Sequence, residues 1–180
     1  MNIVGTPCSA VQRSSATPGG ARTATTPSDG GAEGNPFGQG KDMAAIALAH
    51  EIPYVATATV SELRDLEAKV RRAMDFRGAR YIHILVPCPL GWGHSSNDTI
   101  RVARLAVETG LFPVLEAEYG SVTRVLKIRR RVPVEEYLKP QNRFAHLFRE
   151  PARTDLIERI QAIADRNIRR YALLDESVTS

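Results

Sequence analysis

The pattern of apolar and polar positions changes character near residue 42. From there to about residue 173 hydrophobic residues recur with helical or alternating spacing, whereas residues 1 to about 40 show neither period. Asp42 is placed to cap a helix over Met43 to His50, with Pro53 beyond its end. Tyr54 to Val60 (Y-V-A-T-A-T-V) is a run of β-branched and small residues and predicts a strand. Ser61 and Glu62 open a second helix with Leu63, Leu66, Val70 and Ala73 along one face and charge on the other; Gly78 ends it. Tyr81 to Val86 (Y-I-H-I-L-V) is a short apolar run that stops on Pro87-Cys88-Pro89 and turns through Gly91-Trp92-Gly93. A run so short, bounded by proline and glycine, predicts a buried strand that ends at a stiff loop.

After a polar turn from His94 to Asn97, Asp98 reads as the cap of a third helix bearing Ile100, Ala103 and Leu105 to Val107, with Gly110 at its end. Phe112 to Glu118 and Ser121 to Ile128 predict a hairpin closed at Tyr119-Gly120. Val134 to Leu138 is a short helix, and Phe144, Leu147 and Phe148 form an apolar patch. Thr154 or Asp155 caps a last amphipathic helix carrying Leu156, Ile157, Ile160, Ile163, Ile168 and Leu173. Strands alternating with helices of this length predict an α/β fold, a parallel sheet flanked by helices, with a C-terminal hairpin and helices. The expected division is a glycine- and threonine-rich segment over 1–40, disordered or a loop beside a ligand, an α/β core over 41–130, and a helical extension over 131–180.

Composition narrows the function classes. At 180 residues and 43% hydrophobic, the chain can build one sizeable core. The net charge of +4 is mild, and the densest basic run, Lys127 to Arg131, has no interleaved aromatics, so nucleic acid is not an expected partner. No stretch approaches the roughly 20 apolar residues of a membrane span. The start lacks a charged n-region and an apolar h-region, so the expected location is cytoplasmic. The two cysteines, Cys8 and Cys88, lack C-x-x-C spacing and do not suggest a disulfide framework.

Cys88 is the pivotal residue. Pro87 keeps Val86 extended, and neither flanking proline has an N–H, so the thiol is expected on a rigid turn just past a strand's C-terminal end. In open α/β sheets ligands collect at that rim. Three readings stay open: a small buried hydrophobe, a nucleophile, for which His83 is the nearest histidine in sequence, or a metal ligand. An iron–sulfur cluster usually takes four cysteines, so one here would need sulfurs from elsewhere. His50, His94 and His146 are scattered, and Trp92 reads as loop packing. Gln12 to Pro18 (Q-R-S-S-A-T-P) is too polar for a core. It carries one fixed charge, Arg13, suited to a phosphate or carboxylate, but its spacing matches neither a Walker nor a Rossmann glycine pattern.

Several blocks resemble one family. Val11 to Pro18 with Ala24 to Pro27, Ile52 to Ala58, His83 to Gly93 and Ala103 to Pro113 are similar, in order, to the β subunit of pyruvate:ferredoxin oxidoreductase (pyruvate synthase). The resemblance implies the C-terminal part of a thiamine-diphosphate-binding fold. It also implies an oxidoreductase that decarboxylates pyruvate with coenzyme A to acetyl-CoA and CO2, reducing ferredoxin, in a reversible reaction. The implied cofactors are thiamine diphosphate, Mg2+ and a 4Fe–4S cluster. The implied partners are α-, γ- and δ-type subunits, ferredoxin, pyruvate and coenzyme A.

By the same resemblance Cys88 is the cluster's fourth ligand. Asn2 matches the Asn of the family's M-N-T-G segment beside thiamine and substrate, and Gln12, Arg13, Ser14 and Thr17 lie near the cofactor. The family's other three cluster cysteines and its Gly-Asp-Gly motif for magnesium and pyrophosphate have no counterpart in this sequence, and neither does Cys8 in the family. The chain is therefore expected to be a fragment or split subunit, inactive alone. Branched-chain 2-oxoacids are the alternative substrate class, and a truncated, non-catalytic docking module is the alternative role. The prolines beside Cys88 are further expected to deprive the sulfur of N–H donors and so hold the cluster's potential down.

Overall fold

The computed structural model of the chain describes residues 2–5, 19–22 and 42–174. Cys8, Gln12, Arg13, Ser14 and Thr17 lie outside the described residues. The first helix forms where the cap predicts it: Asp42 Oδ1 accepts the Ala45 N–H at 2.9 Å, and α1 runs Met43–Ala49. It is followed by β2 (Tyr54–Thr59), α2 (Leu63–Asp75) and β3 (Arg80–Leu85). A one-turn helix, α3 (Pro89–Trp92), leads through a 3-10 turn to α4 (Thr99–Glu108). The hairpin strands are β4 (Leu115–Glu118) and β5 (Ser121–Val125). Then come α5 (Val134–Leu138), a 3-10 segment (Asn142–Phe148) and α6 (Thr154–Tyr171). A short strand β1 (Asn2–Gly5) precedes them all.

The strands make one sheet in the order β1-β3-β2-β4-β5. β1 and β2 both run parallel to β3, whereas β4 pairs antiparallel with β2 and with β5. The α/β architecture is as expected, but the sheet is mixed, because the hairpin joins it as its edge. Thr57 secures that junction. Its hydroxyl donates to the Pro113 carbonyl at 2.7 Å and accepts the Leu115 N–H at 2.8 Å, bonding the chain where a proline interrupts the ladder. The hairpin closes at Tyr119-Gly120, both at positive φ (48° and 81°), as a tight two-residue turn requires.

The central strand β2 is buried throughout, as a strand covered on both faces should be. Leu66, Val70 and Phe76 of the α2 region pack over Tyr54, Ala56, Ala58, Ile82 and Ile84. Ala44 and Ala47 of α1 pack with Val55, Leu115 and Ala117. A third cluster binds the C-terminal helices to the rim of the sheet: Leu85, Trp92, Val102, Leu105, Val134, Phe144, Leu147, Ile157, Ile160 and Ala164, with Ala21 joining them.

Local details depart from the sequence reading. Leu63 is exposed although it continues the apolar face of α2, while Lys69 on the same helix is buried. Asp98 makes no side-chain cap and lies 3.6 Å from Arg101, and the last helix starts at an Arg153 cap position and not at Thr154 or Asp155; Asp155 is gripped by both ends of the Arg153 guanidinium fork. Among the described residues no helix is long and apolar enough to cross a membrane.

Candidate functional site

β3 delivers Cys88 to the rim. Leu85 ends the strand, the backbone stays extended through Cys88 (φ −95°, ψ 109°), and Cys88 then occupies the N-cap position of α3, with Pro89 at its first turn. The Sγ accepts the Gly91 N–H at 3.3 Å. This corrects the expectation that flanking prolines leave the sulfur without donors: they remove their own N–H groups, but the helical turn they start aims another one at it. Cys88 is half-buried and packs against the cluster that contains Trp92. Leu90, on the outside of the turn, is 92% exposed.

Beneath the turn lies a group that no sequence pattern singles out. Arg143, only 3% exposed, sets its guanidinium carbon 3.8 Å from the Trp92 ring centroid and 4.9 Å from that of Phe144. Its Nε donates to Gln141 Oε1 at 2.9 Å and its Nη2 to the Tyr137 hydroxyl at 3.0 Å. Burial pulls the pKa of this guanidinium below its ordinary value; the Tyr137 phenol and, after it, the Cys88 sulfur act in the opposite sense. Segment and turn are also tied through main chain, Asn142 N–H to Gly93 C=O at 3.0 Å. Gly93 sits at φ 68° in the left-handed region, where a side chain would be strained.

The histidines divide. His94 is only 8% exposed; its Nδ1 lies 2.8 Å from the Ser95 carbonyl, and its buried Nε2 has no hydrogen-bond partner among the described residues. His146 also has a buried Nε2 with no partner among the described residues, and its pKa is pushed down to about 4, by burial first and then by the Arg22 charge. His83 lies on β3 with its ring edge-on to Phe112, 5.5 Å between centroids, and burial lowers its pKa. His50 is exposed just past α1.

Asn2 and Cys88 are not brought together. Asn2 is in register with Tyr81 at the start of β3, whereas Cys88 follows that strand's far end. At about 3.3 Å per residue the two levels are roughly 20 Å apart along the strand. The Gln12–Thr17 run lies outside the described residues, but Gly19 to Arg22, just after it, are anchored near the Cys88 turn. Ala21 is fully buried in the Trp92 cluster, and the Arg22 N–H donates to the Arg143 carbonyl at 2.7 Å.

One thiol with an N–H donor, on a turn backed by a buried cation against Trp92, fits one corner of an iron–sulfur cluster. Among the described residues no three His, Cys, Asp or Glu side chains are grouped to hold a metal ion, so a cluster held here would need further ligands from elsewhere.

Comparison with protein-family profiles finds no match. Comparison with individual proteins does. The chain is 48% identical over 163 residues to pyruvate synthase subunit PorB of Methanosarcina barkeri, covering 91% of this chain and 55% of that protein. It is 44% identical over 163 residues to pyruvate synthase subunit PorB of Methanocaldococcus jannaschii, covering 91% and 53%. Ketoisovalerate oxidoreductase subunit VorB of Pyrococcus abyssi is 39% identical over 142 residues, covering 78% and 45%. The chain thus spans about half the length of the curated relatives it matches. With such identity along most of its residues, the chain belongs to the family of pyruvate synthase β subunits.

Proposed function

We propose that this chain is the C-terminal part of the β subunit of a pyruvate:ferredoxin oxidoreductase, a complex that converts pyruvate and coenzyme A to acetyl-CoA and CO2 and passes the electrons to ferredoxin. The observation that carries the proposal is the placement of Cys88: a half-buried cysteine at the C-terminal rim of a parallel strand pair, its sulfur bonded by the Gly91 N–H, on a turn whose Trp92 is stacked by Arg143. In this reading Cys88 is one ligand of a 4Fe–4S cluster whose other cysteines lie on other sequence. A 4Fe–4S cluster supplies one-electron transfer, and thiamine diphosphate with Mg2+ supplies carbanion stabilisation at the substrate.

This chain's part is positional. The turn fixes the Cys88 sulfur, Trp92 and Arg143 support the turn from below, and Ala21, four residues after Thr17 in the chain, is buried in the same cluster. Gln12, Arg13, Ser14 and Thr17 are proposed as cofactor contacts, with Asn2, on the strength of the family resemblance. The partners proposed are the remaining subunits of the complex and ferredoxin. The test is Cys88→Ser in the assembled enzyme. Iron content and paramagnetic resonance should show one cluster lost or altered, and a full set of unchanged cluster signals would refute the assignment.

A second substrate class follows from the VorB relative. Turnover of the assembled enzyme on pyruvate and on branched-chain 2-oxoacids separates the two, with pyruvate expected to be preferred.

A further inference from the structure

Arg143 carries a full charge in a place where charge is costly. It is 3% exposed, and its hydrogen-bond partners are neutral: the Gln141 amide oxygen and the Tyr137 hydroxyl. Among the described residues no carboxylate is ion-paired with it. A buried cation without an anion is destabilising, so a chain that keeps one has a use for the positive charge. The geometry around it is specific as well as buried. The guanidinium carbon sits 3.8 Å from the Trp92 centroid, Gln141 is itself anchored to the Tyr137 carbonyl, and Asn142 is bonded to Gly93. Arg143 therefore connects the two ends of one device: a segment on the C-terminal helices and the turn that begins at Cys88. A lysine could not do this, because it lacks the planar fork that stacks and donates at once.

We infer that Arg143 is a positioning residue for Cys88, a fixed buried cation that holds the Cys88–Gly93 turn in place and offsets the negative charge which a ligating thiolate and its cluster bring to this half-buried rim. The inference rests on Cys88 being a cluster ligand, as proposed above. It assigns to Arg143 an electrostatic effect on the cluster that a purely structural prop would not have.

The experiment is potentiometry and paramagnetic resonance on the assembled enzyme with Arg143→Met, Arg143→Lys and Tyr137→Phe, beside Cys88→Ser. Arg143→Met keeps much of the volume and removes the charge. It is expected to shift the midpoint potential of the cluster that Cys88→Ser disrupts to more negative values, because reduction adds negative charge that Arg143 no longer offsets. Arg143→Lys should restore most of the potential while altering the line shape. An unchanged potential and spectrum in Arg143→Met enzyme with full iron content overturns the inference. Should that variant not assemble, Tyr137→Phe removes one anchor of the guanidinium and no charge. It is expected to change the spectrum without iron loss, and an unaltered spectrum again overturns the inference. If Cys88→Ser leaves every cluster intact, the ligand assignment itself fails. If it does not, while Arg143→Met changes nothing, only the role of Arg143 fails.

Discussion

Gly93 and Asn142 meet backbone to backbone: the Asn142 N–H donates to the Gly93 carbonyl at 3.0 Å, and a Cβ built on Gly93 would lie 2.6 Å from the Asn142 Cβ. The contact closes the turn that presents Cys88 onto the segment that carries Arg143. It tolerates no side chain, both for space and because Gly93 sits at φ 68°. Gly93→Ala should therefore cost about 3 kcal/mol, combining a left-handed non-glycine residue with overpacking. Denaturant unfolding of the chain measures it. A loss below about 1 kcal/mol would mean that the turn relaxes easily and that its rigidity is not the point of the glycine.

Tyr54 donates its hydroxyl to Glu116 Oε2 at 2.7 Å, inside the sheet, where Glu116 is only 4% exposed. Arg124 reaches the other oxygen at 3.3 Å. Tyr54→Phe removes the hydrogen bond to a buried carboxylate oxygen, leaving it only the Arg72 guanidinium at 3.9 Å, and should destabilise by about 2 kcal/mol, with the denaturant slope unchanged. Burial and Glu116 also hold the Tyr54 pKa well above 10. The unfolded chain then loses the phenolic proton first, so stability falls as pH rises past 10. That alkaline fall should be shallower in Tyr54→Phe, and an identical slope would count against the assignment.

Lys69 is buried on α2, donating to the Thr57 carbonyl at 2.9 Å and pairing with Asp65. Lys69→Met leaves Asp65 without its partner and should cost about 3 kcal/mol. Lys69→Met with Asp65→Leu removes both charges and should recover much of the loss. A double-mutant cycle with no coupling would show that the pair is incidental.

His146 sets the acid side. Its pKa falls from 6.5 unfolded to about 4 folded, because burial and Arg22 disfavour the imidazolium, although a main-chain hydrogen bond to Gly20 works the other way. The unfolded state thus takes up a proton that the folded state refuses. Stability is complete above about pH 6.5 and declines as pH is lowered toward 4. His83, also lowered by burial, adds the same sign. In His146→Gln, thermal unfolding between pH 4 and 6.5 should depend less on pH; an unchanged dependence would place the acid sensitivity elsewhere.

What the sequence disclosed and what it withheld follow one rule. The Asp42 cap, the buried strand β2 and the two-residue turn at Tyr119-Gly120 are specified by neighbours a few positions away, and all three stand where the pattern puts them. The stiff turn at Cys88 is equally local, being written in its prolines and glycines. Arg143 is different. In Q-N-R-F it looks like a surface cation, and only the fold brings Trp92 under it and Tyr137 beside it. Lys69 and His94 were illegible for the same reason, since each is buried by packing that sequence spacing does not encode. The direction of β4 was also hidden, because its antiparallel pairing with β2 depends on the distant Thr57 hydroxyl.

Trp92 is the chain's single tryptophan. It lies buried four residues from Cys88 with a guanidinium against its face. Intrinsic ultraviolet emission from this polypeptide therefore originates, for its indole part, entirely in the Cys88 turn. The colour and lifetime of that light report the turn's condition directly, with no label to attach.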